Sequence, residues 1–310
     1  MSQFNLEERL GALPSPWDPK HYRVDNATLL MALELPEEML DLDPFMPPIQ
    51  DQGNIGTCVG QDGDMIRSAT HKLEKGTFVD LSAGWLYYWS RHHANVPDWQ
   101  EGSTNLGLMK ALNKEGATTE TCAPTDTKRP FDIDWCNEAY EIAKEYGIDE
   151  YWNVNPNPVD IKSAMMGWTH EANYTMPDGS PGKIPLVSAF PVYENFYDSF
   201  DNGGVVPMPK GKLLGGHSSP ISGWKVIDDG THWKNYGSWG TDKADNGIFY
   251  LPENYPFYNA DWWLIHNGPP TNIPDPNPSP CNRGNTSAKV INVVPWLLRR
   301  RGRFHYLNPR

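Results

Sequence analysis

The 310-residue sequence has no long apolar run and no apolar leader. A bilayer-spanning helix needs roughly 20 consecutive apolar residues, and the longest runs, at 291–294 and 296–298, are far shorter. The first ten residues include Glu7, Glu8 and Arg9 where a secretory signal would have an apolar segment. We therefore expect a protein without a secretory signal and without a membrane partner.

Cysteine and positive charge are also scarce. The four cysteines are too few to hold a chain of this length together, although Cys122 and Cys136 could still form a disulfide. A net charge of −13 repels nucleic-acid backbones, so we expect no nucleic-acid partner. The exception is a cluster of arginines within the last twelve residues: Arg299, Arg300, Arg301, Arg303 and Arg310.

The sequence predicts four segments. Residues 1–48 are irregular and proline-rich, with one helical candidate at 26–33, and we interpret them as a wrapping segment, either an inhibitory cover or scaffold. Residues 49–266 form the main domain. Proline enrichment indicates an extended linker over 267–284. The tail at 285–310 is apolar and then basic, and we expect it to dock on a protein assembly partner; the alternative is a solvated, disordered segment.

Within the main domain, a helical half precedes a sheet half. Apolar residues recur at helical spacing from Cys58 to Gly76, and further helices are predicted at 81–91, 104–113, 138–146 and 159–166. Short β-favouring runs follow at 184–190, 219–224 and 247–251. This order predicts an α+β fold in which a helical lobe, about 49–167, and an antiparallel sheet lobe, about 184–266, enclose a cleft.

Cys58 is a candidate nucleophile at the predicted start of the first helix. The positive end of the helix dipole and the free amides there favour thiolate over thiol. Gly53 and Gly56 let the preceding chain turn tightly, and Gln52 can return its side-chain amide toward the sulfur. Such a donor stabilises the oxyanion of acyl transfer. A lone cysteine is usually a small buried apolar residue, but this context favours a nucleophile.

His217 is the candidate base, at the opening of a β-run that follows Gly215 and Gly216. A histidine in this position can also be a core residue satisfied by backbone groups. We favour the base, because two glycines leave room beside it for a substrate backbone. Further along, Asn235-Tyr236-Gly237-Ser238-Trp239-Gly240 is predicted to form a turn before another strand.

Together these motifs resemble the papain family of cysteine peptidases, specifically its signal-free microbial and viral branch. That family has Gln-Gly-x-x-Gly-[Ser/Thr]-Cys, Gly-His and Asn-Ser-Trp-Gly motifs in this order, and the similarity runs from about Leu35 to Trp263. The resemblance implies a two-lobed fold whose nucleophile helix packs against a barrel-like sheet lobe. It also implies a cysteine endopeptidase in which Cys58 attacks a peptide bond, His217 acts as base and acid, and Gln52 with the Cys58 amide forms the oxyanion hole.

The same resemblance implies that a peptide or protein substrate lies against five residues: Gly102, Ser103, Gly216, Ser218 and Trp239. No cofactor and no metal ion is expected. The adjacent histidines His92 and His93 would diverge by about 100° on a helix, and no cysteine or carboxylate pattern completes a metal site.

One departure from the family pattern bears on activity. Gly237 stands where the family has the asparagine that orients the histidine, and Asn235 lies two residues upstream, roughly 6 to 7 Å away on a strand. Either a bulge brings Asn235 to His217 as a catalytic residue, or Trp239 packing and water hold the imidazole. An unoriented base lowers activity without abolishing it, because the nucleophile and oxyanion donors remain.

A second departure is Ile55, where secreted members have a disulfide cysteine; this fits a reducing compartment. The alternative function is a catalytically weakened, papain-fold structural or interaction component of a larger assembly such as a viral particle. The expected location is therefore cytoplasmic or virion-associated.

Overall fold

The computed structural model describes residues 4–18, 23–24, 35–125, 135–167, 176, 178–180 and 182–266. The predicted helix at 26–33, the linker at 267–284 and the tail at 285–310 lie outside the described residues. Across the described ranges, no helix has the length and apolar character that a bilayer crossing requires. Cys136 is a free thiol, so it forms no disulfide with Cys122.

The described chain has a helical part in which every predicted helix is found. The helices are α1 Cys58–Lys75, α2 Ala83–Ala94, α3 Asn105–Lys114, α4 Asn137–Ala143, α5 Pro158–Met165 and the short α6 Asp198–Asp201. Local signals set their ends. The side chains of Ser82 and Thr104 accept the Trp85 and Gly107 amides as N-caps of α2 and α3. Gly76, at φ 79°, ends α1 in the left-handed conformation.

Within the described ranges, seven strands form one sheet. They are β1 Arg23–Val24, β2 Glu150–Val154, β3 Leu186–Tyr193, β4 Leu213–Ile227, β5 Gly230–Tyr236, β6 Ile248–Pro252 and β7 Trp262–His266. Their order is β1-β2-β7-β3-β4-β5-β6, and all neighbours are antiparallel except β1 and β2. Helices followed by this sheet confirm the predicted α+β class.

The sheet extends further than the sequence predicts. β2 comes from the helical half of the chain and pairs with β7, so that Tyr151 lies opposite Ile265. Its five residues carry no clear alternation, and its partner is more than 100 positions away, so neither periodicity nor a nearby hairpin signal indicates a strand. The sheet therefore crosses the predicted boundary between the lobes.

Helix α1 lies at the centre of the domain. All of its residues from Cys58 to His71 are buried, including the charged side chains Asp62, Asp64 and Arg67. One core packs the helices around Trp85. Two others lie on the sheet, one around Trp224 and Trp233 and one around Trp239 and neighbouring phenylalanines. The N-terminal tip of α1 meets β4 between these cores, and the predicted site lies there.

Candidate active site

Cys58 begins α1 and is fully buried. Backbone groups of Ser218, Gly11 and Val59 hydrogen-bond its sulfur. Burial, with the nearby Asp62 carboxyl as a second cause, raises the pKa of the thiol to about 12 against the opposing effect of the backbone hydrogen bonds. Loss of hydration therefore disfavours the thiolate more than the helix dipole favours it. The buried Cys58 is a thiol at neutral pH.

His217 lies on β4 directly opposite Phe190 of β3 and is 1% exposed. The Trp239 ring packs on the imidazole at 4.1 Å between centroids, and the Phe190 ring meets it edge-on at 5.7 Å. Neither imidazole nitrogen has a hydrogen-bond partner among the described residues. Burial lowers the pKa of His217 to about 3, so the ring is neutral.

The structure brings the predicted nucleophile and base to one place. The Cys58 sulfur contacts the backbone of Ser218, which directly follows His217. The two side chains form no hydrogen bond with each other, since both ring nitrogens lack partners among the described residues. The thiol and the imidazole are thus both neutral and both buried.

Gln52 is held with its amide directed into the same site. Its Oε1 accepts from the Ser238 hydroxyl at 2.5 Å, and its backbone N–H donates to the Ser238 carbonyl at 2.9 Å. Its Nε2 donates to the Ile55 carbonyl at 2.6 Å and to the Arg9 carbonyl at 2.9 Å. The predicted oxyanion donor therefore already holds a peptide carbonyl.

The Arg9 carbonyl belongs to residues 4–18, which we call the strap. The Ser103 N–H donates to the Gly11 carbonyl at 2.8 Å, and the Leu13 N–H donates to the Ser103 carbonyl at 2.7 Å. On the opposite wall, the Ala12 N–H donates to the Gly216 carbonyl at 3.0 Å. Beyond the short 3-10 helix Glu7–Arg9, the strap thus runs through the cleft and contacts the walls that the sequence predicts for substrate.

The strap can lie this close to the domain because Gly11 has no side chain. A Cβ atom there would lie 1.8 Å from the Gly56 carbonyl oxygen, and a Cβ on Gly216 would lie 2.1 Å from the Ala12 carbonyl oxygen. Neither contact leaves room for a side chain. Glycines at these positions let the strap lie flat against the turn that precedes Cys58 and against β4.

Polar contacts fasten the strap on both sides of the nucleophile. Arg9, which is 8% exposed, pairs with Asp51 at 2.7 Å. The Ser15 N–H and hydroxyl both bond the buried carboxylate of Asp261, and the Leu106 N–H donates to the Ser15 hydroxyl at 3.0 Å. Residues 9–15 of the predicted wrapping segment therefore cover the cleft itself.

Asn235 is not brought to His217. β4 does contain a bulge, between Ile221 and Gly223, opposite the start of the Asn235 turn. The Asn235 oxygen nevertheless accepts from the Ser219 hydroxyl at 2.9 Å, and its nitrogen donates to the Trp233 carbonyl at 2.9 Å. The orienting contact predicted for Asn235 is therefore absent, and Trp239 packing is what holds the imidazole.

Gly237 is a steric requirement of the turn. A Cβ there would lie 2.7 Å from the Phe249 ring and 2.8 Å from the Gly247 carbonyl oxygen. The family's asparagine therefore has no space at this position. The change from the family pattern is built into the packing of β6 against the turn.

Ser218 lies on the opposite face of β4 from His217. Its hydroxyl is buried and lies 2.8 Å from the Asn105 side-chain oxygen and 3.0 Å from the Ser188 carbonyl. Asp62 lies one turn of α1 beyond Cys58, and burial raises the pKa of its carboxyl well above the ordinary value. The Ser218 side chain thus supports the nucleophile from beneath instead of lining the cleft.

Sequence reasoning missed the strap contacts and Asp62. Asp62 could have been noticed from its i+4 spacing on the nucleophile helix, which places it below Cys58. No local signal marks Arg9 to Leu13 as occupants of the cleft. Within the ranges that the structure covers, no group of three or more histidine, cysteine or acidic residues is placed to hold a metal ion.

Comparison with known proteins gives partial sequence matches and a shared fold. No family model matches the chain. It is 38% identical over 134 residues, 43% of its length, to cathepsin B-like cysteine proteinase 3 of Caenorhabditis elegans, and the match spans 30% of that relative. The chain thus covers about a third of the curated relatives' length or less.

Two solved structures superpose over most of the domain. Xylellain, a cysteine protease from Xylella fastidiosa, has a TM-score of 0.67 at 21% identity and covers 84% of this chain and 96% of its own. The proCathepsin B S9 from Trypanosoma congolense has a TM-score of 0.66 at 17% identity, covering 85% and 87% respectively. These neighbours confirm the fold predicted from the motifs.

Proposed function

We propose that this chain, which has the papain-like fold and shares sequence with cathepsin B-like cysteine proteinases, is a latent cysteine peptidase closed by its own strap. Cys58 is the nucleophile, His217 the base and Gln52 an oxyanion donor. One observation carries the proposal. The cleft holds a segment of the chain whose Arg9 carbonyl, at the end of the short 3-10 helix Glu7–Arg9, accepts the Gln52 side-chain amide at 2.9 Å, while Ala12 and Leu13 pair with the two walls.

Displacing the strap would change the charge state of the site. Burial is the largest cause of both pKa shifts, raising that of Cys58 and lowering that of His217. Admitting water reverses both, so that the thiol proton can move to the imidazole and give a thiolate beside an imidazolium. The helix tip, whose influence burial overrides in the closed state, then favours the thiolate.

The chemistry that follows uses the residues in turn. The thiolate attacks the carbonyl carbon of a peptide bond, and the negative charge passes to its oxygen, where Gln52 Nε2 and the Cys58 amide donate hydrogen bonds. The imidazolium returns its proton to the leaving amine, and the C–N bond breaks. His217 then removes a proton from water, which attacks the thioester, and the acid is released as the thiol re-forms.

Labelling of the full-length protein in the Gly11→Ala background, where the added Cβ would lie 1.8 Å from the Gly56 carbonyl oxygen and should displace the strap, tests this proposal. An epoxysuccinyl peptide at neutral pH should modify Cys58, and the label should disappear in Cys58→Ala and slow strongly in His217→Ala. Cys136 is a free and partly exposed thiol, so it is an internal reference. A reagent that modifies Cys136 as fast as Cys58 would show that Cys58 has no special reactivity, and the peptidase proposal would be wrong.

A second candidate is the papain-fold structural component of a larger assembly. The observation that favours it is the imidazole, whose two nitrogens lack partners among the described residues while Asn235 is bound elsewhere. Under this function, variants that displace the strap gain no peptide hydrolysis and Cys58 stays as unreactive as a buried core cysteine. Hydrolysis of a fluorogenic peptide after strap displacement separates the two candidates.

A further inference from the structure

The wall of the cleft that faces His217 is the end of a loop, residues 95–103, between α2 and α3. Its last residues, Gly102 and Ser103, present the backbone edge on which the strap is paired. Ile55 leaves the neighbouring Cys58 loop without a cysteine that could tie it to this wall. Something else must therefore fix the position of the edge.

Arg91 in the last turn of α2 binds this loop from behind. The side chain is buried, and its guanidinium donates to three carbonyls of the loop. Nη1 donates to Gln100 at 2.6 Å and to Gly102 at 2.8 Å, and Nη2 donates to Pro97 at 2.9 Å. A planar, charged group with several donors in fixed directions holds such carbonyls in one arrangement.

Tyr87, one helical turn before Arg91, binds the same edge. Its hydroxyl accepts the Gly102 N–H at 2.8 Å, and the Arg91 guanidinium lies over its ring at 5.5 Å from the centroid. Gly102 itself has φ 94°, and a Cβ there would lie 2.5 Å from the Gly11 carbonyl oxygen. Both the N–H and the C=O of Gly102 are thus hydrogen-bonded to side chains of α2. Because Gly102 has no side chain, a bound chain can lie directly against its backbone.

We propose that Tyr87 and Arg91 are positioning residues that hold the Gly102–Ser103 edge at the height where an extended peptide backbone can pair with it. The inference rests on the proposed function and deepens it. Ser103 binds the strap through its N–H at 2.8 Å and its C=O at 2.7 Å. Both bonds depend on the direction of one peptide edge, so a small shift of the loop weakens them together.

The consequence is a selective effect on reagents. A peptide-like ligand needs the edge, whereas a small alkylating reagent needs only an open path to the Cys58 sulfur. Both reagents need the strap to be displaced, and this shared requirement cancels in the ratio of their rates. The ratio of the epoxysuccinyl-peptide rate to the iodoacetamide rate at Cys58 therefore reports on the edge alone.

The test compares three variants of the full-length chain. Tyr87→Phe removes only the hydroxyl acceptor, and Arg91→Lys keeps the charge but not the three directed bonds. Tyr88→Phe is the matched control, since it removes a hydroxyl from the next residue of α2. We expect the rate ratio to fall about fivefold in Tyr87→Phe and about 20-fold in Arg91→Lys, and to stay at the wild-type value in Tyr88→Phe.

Iodoacetamide alone should react faster with Cys58 in Tyr87→Phe than in wild type, because the strap uses the same edge. If the ratio is unchanged in Tyr87→Phe, the proposal is overturned, whatever the folding of Arg91→Lys, while Cys58 reactivity in Gly11→Ala, where the strap should be displaced, still supports a peptidase. If neither reagent prefers Cys58 over Cys136 in Gly11→Ala, the proposed function fails, and this inference fails with it.

Discussion

The side-chain amide of Gln52 and the backbone carbonyl of Arg9 are joined by a hydrogen bond of 2.9 Å. The group predicted to stabilise the oxyanion therefore holds a carbonyl of its own chain, and a substrate must compete with the strap for one donor. Substitutions in the strap should therefore change only how tightly the cleft is closed. Substitution of Gln52 should make the cleft easier to open and should also slow catalysis.

Gly11→Ala should open the cleft. The added Cβ would lie 1.8 Å from the Gly56 carbonyl oxygen, and overpacking of this kind costs about 1–3 kcal/mol. We expect epoxysuccinyl-peptide labelling of Cys58 and hydrolysis of a fluorogenic peptide to rise by about tenfold. Gly230→Ala is the control, because a Cβ there meets its nearest atom at 3.6 Å. Equal rates in Gly11→Ala and wild type would contradict the closed-strap arrangement.

Gln52→Ala should separate closure from catalysis. Loss of the Arg9 contact weakens the strap, so iodoacetamide should reach Cys58 faster than in wild type. Loss of an oxyanion donor should lower kcat for peptide hydrolysis by about 10²–10³-fold, measured in the Gly11→Ala background. Ser238→Ala removes the hydroxyl that orients Gln52 and should give a smaller change in the same directions. Unchanged kcat in Gln52→Ala would remove this residue from the oxyanion site.

Asn235→Ala should lower stability more than activity. The side chain is fully buried and bonds Ser219 and the Trp233 carbonyl, so its loss leaves buried polar groups unpaired at a cost of about 1–3 kcal/mol. Peptide hydrolysis per folded molecule should be nearly unchanged.

Trp239→Leu should lower both properties: stability because the ring fills the core beside Phe249, and kcat because the ring holds the imidazole at 4.1 Å. Thermal denaturation and steady-state kinetics of both variants check the pair. A large kcat loss in Asn235→Ala would mean that Asn235 reaches His217 during turnover.

Gly237→Asn should not restore a family-like site. An asparagine side chain at this position would begin 2.7 Å from the Phe249 ring, so the variant should unfold at a lower temperature and gain no activity. Differential scanning calorimetry together with peptide hydrolysis measures both effects. Increased hydrolysis in this variant would show that the turn can repack around the added amide.

Asp261 should make the fold more stable toward acid. Burial raises its pKa to about 6, and the Ser15 hydrogen bonds act in the opposite direction. An unfolded aspartate has a pKa of about 3.9. Since the folded state binds the proton more tightly, the stabilisation is complete below about pH 3.9 and is lost as the pH rises through about 6.

The melting temperature of wild type relative to Asp261→Asn should therefore rise as the pH is lowered from 7 to 4. Thermal denaturation at several pH values in this range gives the comparison. A constant difference between the two proteins would show that Asp261 does not titrate in the folded chain as its burial requires.

Much of the fold could be predicted from local patterns. Helix caps such as Ser82 and Thr104, the stop at Gly76 and the periodicity after Cys58 each act within a few residues, and the structure contains those helices. Strands β2 and β7 were missed because their pairing joins distant parts of the chain. The same holds for Tyr87 and Arg91, whose partners become neighbours only after the loop folds.

The candidate site shows why motif order alone does not fix chemistry. The sequence places Cys58 at a helix tip, which favours thiolate, and the structure does place it there. Burial beneath Gly11 nevertheless reverses the balance and raises the pKa of the thiol to about 12. Desolvation depends on which segment covers the tip, and no spacing in the sequence indicates that the cover comes from 47 residues upstream.

The Ser15–Asp261 contact has a consequence for biosynthesis. A ribosome makes the strap first, then the nucleophile helix, and makes Asp261 only near the end of the sheet. Until that carboxylate emerges, the nascent chain has a nucleophile and its cover but lacks one of the fastenings between them. Closure at this end is therefore an event of late or completed translation, and a chain truncated before Asp261 would lack this fastening of the strap.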